Sequence, residues 1–216
     1  MKRLLGLCTV LLALACQPSF ALTPAGDEAL HQLQTRWAEI NYQLPAAQRE
    51  AAFAKLAATA DSAVTSEPRA AELRIWHGIV LSTWAGAKGG LGALGLVKQA
   101  KAELEKAIEL DPQALDGSAY TSLATLYYQV PGWPIGFGDD DKAQALFQQA
   151  LHLNPNGIDP NYFHGDFLLR QKRYNEARAA LKKALAAPDR PGREVADAGR
   201  REEARNLLAQ VEEKLE

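Results

Sequence analysis

Apolar residues along most of this chain recur every three or four positions, as in Leu104, Ala107 and Ile108 or Leu146, Phe147, Ala150 and Leu151. No stretch alternates with a period of two, so the pattern predicts helices throughout and an all-α fold. The pattern is also self-similar. "AKAELEKAIELDP" (100–112), "AQALFQQALHLNP" (143–155) and "ARAALKKALAAPD" (177–189) share A-x3-[FL]-x2-A-[LI], and Ala143 and Ala177 lie 34 residues apart. In the first two, Pro112 and Pro155 stop the helix, because the residue before a proline avoids the α region. One helix earlier stand the small residues Gly78, Ala124 and Gly165, which let two helices approach closely.

The spacing between these small residues and the next motif is uneven. Gly165 to Ala177 is 12 residues, Ala124 to Ala143 is 19 and Gly78 to Ala100 is 22, so the two middle units carry insertions of 7 and 10 residues. These are "VPGWPIGFGDDD" (130–141) and "AGAKGGLGALG" (85–95). In a stacked array the turn between the first and second helix of each unit falls on one edge. The segments 84–95 and 131–141 are therefore predicted to be neighbours and to form one composite feature. Trp84 in one corner, and Trp133 and Phe137 in the other, are its candidate contact residues, with the 130–141 loop open to two readings, a structural lid or a binding site. Asp139 to Asp141 read as an N-cap with favourable first-turn charge.

A 34-residue period preceded by a relaxed W-x2-L-G-x2-Y helix, here Tyr120, Leu123, Ala124 and Tyr127, resembles the tetratricopeptide-repeat (TPR) family. The resemblance implies a TPR-like α-solenoid of about four helix pairs plus a C-terminal capping helix, within a single domain spanning 22–216. Its units would be a degenerate pair at 27–68, regular units at 71–112, 116–155 and 158–188, and a terminal helix at 193–215 with Ala204, Leu208 and Val211 on one face. In the family, first-helix side chains line a concave groove that accepts a peptide, a partner helix or a small ligand. By that resemblance Thr121, Thr125, Tyr128 and Gln129, and in the next unit Tyr162, Asp166, Leu169 and Arg170, would face the groove. The set departs from the lysines and asparagines that clamp a C-terminal carboxylate in chaperone-binding members. The arrangement of the two insertions is also similar to the T-component of tripartite periplasmic transporters, which implies a protein partner in the cell envelope or a small apolar ligand.

Composition narrows the setting. Lys2 and Arg3, an apolar run from Leu4 to Ala15 and the small-x-small site Ser19-Phe20-Ala21 read as a signal peptide over 1–21, giving a periplasmic or secreted protein. A lipid anchor at Cys16 is the competing reading, weakened because Ala13 stands where such sites favour leucine. Both cysteines, Cys8 and Cys16, fall in that segment, so the remaining 195 residues must hold their fold by burial alone. Without Lys2 and Arg3 the chain has 22 basic against 26 acidic residues, a net of −4 that gives no support to nucleic-acid binding. No later apolar run approaches the ~18 residues of a membrane span.

Signals of chemistry are weak. Gly90-Leu91-Gly92-Ala93-Leu94-Gly95 matches G-x-G-x-x-G formally, but a helix precedes it and no strand is near, so flexible glycines folding back an insertion are expected instead of a cofactor site. His31, His77, His152 and His164 lack metal-ligand spacing, and His77 and His164 beside the close-packing glycines are expected in helix interfaces. Arg190, Arg193, Arg200, Arg201 and Arg205 are interleaved with acids and are expected on a solvated helix face. The reading is therefore of a binding protein, not an enzyme, with no cofactor and no metal.

Overall fold

The computed structural model describes residues 22–90 and 92–216. The expected signal-peptide segment 1–21, with Cys8 and Cys16, lies outside the described residues. Among those described there are nine helices: α1 (Pro24–Tyr42), α2 (Ala46–Ser66), α3 (Ala71–Lys88), α4 (Ala93–Leu110), α5 (Ala114–Gln129), α6 (Asp140–Leu153), α7 (Ile158–Arg170), α8 (Tyr174–Leu185) and α9 (Glu194–Glu213). They pack as pairs α1/α2, α3/α4, α5/α6 and α7/α8, and α9 packs on α8.

The repeat motif is the inner seam of each pair. Ala100, Leu104 and Ala107, Ala143, Phe147 and Ala150, and Ala177, Leu181 and Ala184 are all 0% exposed, which explains why each triplet admits only alanine around one larger side chain. The small residue of the first helix lies against that seam. A Cβ on Gly78 would come within 2.7 Å of Leu104 Cγ and 3.2 Å of the Ala100 carbonyl, and one on Gly165 within 2.7 Å of Leu181 Cγ and 3.5 Å of the Ala177 carbonyl. Gly165→Leu is accordingly expected to destabilise by about 1–3 kcal/mol through overpacking. The gain in helix propensity, at most ~1 kcal/mol, does not offset this. Urea denaturation checks it, and wild-type stability in the variant would break the alignment of Gly165 with Gly78.

The two enlarged corners differ in kind. Between α5 and α6 there is a real loop, 130–139, in which Gly138 N donates to the Pro131 carbonyl (3.0 Å) and Asp139 N to the Tyr127 carbonyl (2.9 Å). The Asp139 carboxylate accepts from Lys142 N at 3.0 Å, the N-cap expected from the sequence. Between α3 and α4 the extra residues are mostly helix: both helices run 18 residues, and only 89–92 separate them. The expected flexible insertion is corrected to two longer helices joined by a tight turn, with Gly89 and Gly90 at φ of 65° and 61°.

Packing also occurs that no repeat spacing encodes. The first helices α1, α3, α5 and α7 touch in succession, and α9 touches both α7 and α1. The array thus curls until its last helix meets its first. Gly199 makes this approach possible, since a Cβ there would collide with the Tyr42 ring. Tyr42 Oη also donates to Glu203 at 3.3 Å.

Candidate functional site: the interior enclosed by the first helices

Closure of α9 on α1 leaves an interior lined by five helices. A cavity of about 250 Å³ occupies the end formed by the N-terminal parts of α5, α7 and α9. A wider one of about 750 Å³ opens at the corner edge. Trp37, Thr83, Thr125, Phe163 and Arg200 line both, so the two adjoin. The wider mouth is bordered by Gly86, Gly90 and Leu94 from one enlarged corner and by Val130, Pro131 and Ile135 from the other, which are neighbours as predicted.

The inner wall combines aromatic and charged side chains. Trp37 on α1 meets Trp76 on α3 edge to face, with ring centres 6.0 Å apart, and its Nε1 donates to Thr83 Oγ1 at 3.0 Å. Across from them Arg200 on α9 lies over the adjacent rings of Tyr162 (4.6 Å) and Phe163 (4.4 Å) on α7. Asp159, in the first turn of α7, accepts from Arg200 Nε at 2.8 Å and from Arg190 Nη1 at 2.7 Å. Asp197 takes the rest of Arg190, through Nε at 2.8 Å and Nη2 at 2.5 Å, and Glu203 accepts from Arg200 Nη1 at 2.5 Å. Burial raises the Asp159 carboxyl, but the guanidiniums of Arg200 and Arg190 overrule it and hold the group well below the ordinary carboxylate range. Arg193 also faces the cavity, 4.9 Å over the Trp76 ring.

These arginines correct the expectation of a solvated helix face. Arg200 is 8% exposed, and Arg190 and Arg193 are half-buried in the cavity wall. Only Arg205, paired with Glu202 at 2.8 Å on the surface, fits the expected pattern well. The reason is the closure, which covers α9 on a second side. Local backbone contributes as well: Leu115, Asp116 and Gly117 take φ of 48°, 53° and 73° at the start of α5, and this left-handed turn puts Leu115 and Asp116 on the cavity wall.

The residues nominated from the sequence are divided by the structure. Thr121 and Thr125 line the inner cavity, while Gln129 and Tyr162 line the wider one, as does Thr125. Tyr128, Asp166 and Arg170 form a bridge between α5 and α7, with Tyr128 Oη donating to Asp166 at 2.7 Å and the Arg170 guanidinium 5.0 Å over the Tyr128 ring. Trp84 lies away from both cavities, packed against the core with its Nε1 buried and without a hydrogen-bond partner. Phe137 folds edge to face onto Tyr127 at 5.6 Å and fastens the loop. Trp133, by contrast, is 90% exposed, and Ile135 61%. The loop is thus both lid and display: Phe137 anchors it and Trp133 projects from it.

Carrying the register of Thr125, Tyr128 and Gln129 back from Ala124 to Gly78 points to Ile79, Ser82 and Thr83, all of which line the inner cavity. Trp37 and the α9 arginines had no such signal. Among the described residues no group of three or more His, Cys, Asp or Glu is placed to hold a metal ion, and no helix is long and apolar enough to cross a membrane.

Comparisons with known proteins agree with this architecture. Residues 91–114 and 135–197 each match a family model described as tetratricopeptide repeat. The crystal structure of a thermophilic TPR protein from Thermus thermophilus is similar, with a TM-score of 0.54 and 23% identity over 85% of this chain and 91% of that one. No curated protein matches the chain. Matched segments, 34-residue period and sealed alanine seams all point one way: the chain contains tetratricopeptide repeats, and the shared architecture is that of an all-α solenoid.

Proposed function

We propose that this protein is an exported, non-enzymatic binding protein that uses its repeats as a protein–protein interaction scaffold in the cell envelope. TPR repeats build interaction scaffolds of this kind, and the signal-like residues 1–21 support export. The observation that carries the reading is the exposure of Trp133 and Ile135 on a loop whose base is fixed by Phe137 and by backbone hydrogen bonds. A rigidly held, solvent-facing tryptophan is a typical interface anchor. Trp133→Ala with Ile135→Ala is expected to change unfolding free energy by no more than about 0.5 kcal/mol, because neither side chain is buried. The same pair should weaken capture of an envelope partner by tenfold or more, about 1.4 kcal/mol or above. Chemical crosslinking of wild type and double variant in the native envelope, through lysines outside the loop, tests this. Recovery of no protein, or equal recovery by the double variant, would sink it.

One observation favours a second reading, a carrier of small molecules or an accessory of a periplasmic transporter. The contact of α9 with α1 encloses a cavity walled by Trp37, Trp76 and Phe163, a shape suited to a small, largely apolar guest. Native mass spectrometry of protein taken from its own envelope would show such a guest.

A further inference from the structure

We propose that the inner cavity binds the carboxylate of a small aryl or alkyl monocarboxylic acid, with Arg193 as the anion anchor. This rests on the carrier reading and names its ligand class. The argument begins from the charges on the wall. Of three arginines lining the cavity, Arg190 is held by Asp159 and Asp197, and Arg200 by Asp159 and Glu203. Arg193 has no carboxylate within ion-pairing distance among the described residues, and its Nε is buried with no hydrogen-bond partner. A half-buried guanidinium that faces a cavity with no direct ion pair and an unpartnered Nε is well placed to accept an anion arriving from outside.

Charges of both signs surround it. Burial, and next the charge of Arg190, hold Arg193 below the ordinary arginine range despite the opposing pull of Asp159 and Asp197, so a further negative group in direct contact with it is favoured. Arg193 is also the N-cap residue of α9, whose first turn has no side-chain cap, and the positive end of that 20-residue helix lies at the same spot. A planar guanidinium presents parallel donors that match the two oxygens of a carboxylate.

Part of the remaining wall is apolar, set among polar side chains such as Thr121, Thr125 and Asp116. Trp76 lies beneath Arg193, and Trp37, Ile79 and Phe163 continue the wall. A volume of about 250 Å³ falls below the ~300–1,000 Å³ of drug-sized pockets, so dinucleotides and folded peptides are too large. An acid with one charged head and a compact apolar body matches both parts.

The test uses the full mature chain with phenylacetate and octanoate, against their neutral counterparts phenylacetamide and octanamide, followed by calorimetry and by quenching of tryptophan fluorescence. Both acids are expected to bind at least tenfold more tightly than their amides. Arg193→Gln should abolish that preference with helicity intact, and Arg193→Lys should restore part of it. Equal binding of acid and amide to the wild type, or an undiminished preference in Arg193→Gln, would overturn the carboxylate assignment and leave the carrier reading standing. Failure of every acid and amide to bind would remove both.

Discussion

Asp159→Ala is expected to lower the unfolding free energy by about 3 kcal/mol, measured by urea denaturation at neutral pH. Removing one partner of a buried ion pair typically costs about 3–5 kcal/mol, because the remaining charge stays buried and uncompensated. The lower end applies here for two reasons. The Asp159 side chain keeps 28% exposure toward the cavity, and Arg190 and Arg200 each retain a second carboxylate, Asp197 and Glu203. A loss under 1 kcal/mol would mean that Asp159 behaves as an ordinary surface pair and that the α7–α9 contact is held by other groups. The pH dependence separates it further. The native pKa of Asp159 is depressed, so its contribution is complete above the unfolded value of about 3.9 and disappears as pH falls below that. His164 acts earlier: burial, and secondarily Arg173, lower it to about 4, so below about 6.5 the unfolded chain takes up this proton first and stability declines. His77 is lowered as well, chiefly by burial. Wild type and Asp159→Ala should therefore decline in parallel from pH 6.5 to about 4, and the gap between them should close only below that.

Phe147→Ala is expected to have an effect as large or larger, about 3–5 kcal/mol, the range for deleting a fully buried aromatic ring. Phe147 is 0% exposed and sits at the junction of the third and fourth units, with ring centres 6.0 Å from Tyr128, 5.6 Å from Phe167 and 5.3 Å from His164. The void would open between α6, α5 and α7, where the alanines Ala143 and Ala150 on either side are too small to fill it. Removing the ring also deprives His164 of part of its apolar cover, so the histidine titration in the variant should move back up toward its ordinary value, which NMR reads directly. Destabilisation under about 1 kcal/mol would show that the large position of the repeat motif does not face the seam.

How far the sequence could be read depends on which contacts are local. The A-x3-[FL]-x2-A triplets, the prolines that stop α4 and α6, and the Asp139 cap are encoded within a few residues of one another, and the helix pairs follow from them. Adjacency of the enlarged corners was legible too, because stacking repeats places equivalent turns on one edge. Less was legible inside them. Phe137 and Trp133 are both aromatic residues beside glycines, and only the folded backbone sends one onto Tyr127 and the other into solvent. Trp84 is a similar case, since its place on α3 turns it away from the interior.

The sequence by itself determined the all-α class, the repeat period, the sealed seams and the common edge of the two corners, because each depends on spacing along one helix or between adjacent ones. Only the tertiary structure decided that the array curls until α9 meets α1, and with it the cavity, the Asp159 ion pairs and the position of Arg193. Curvature accumulates from small rotations at every pair interface, and no single stretch of residues records their sum. Arginines that alternate with acids therefore look solvated in the sequence and become the wall of an enclosed site once the ends meet.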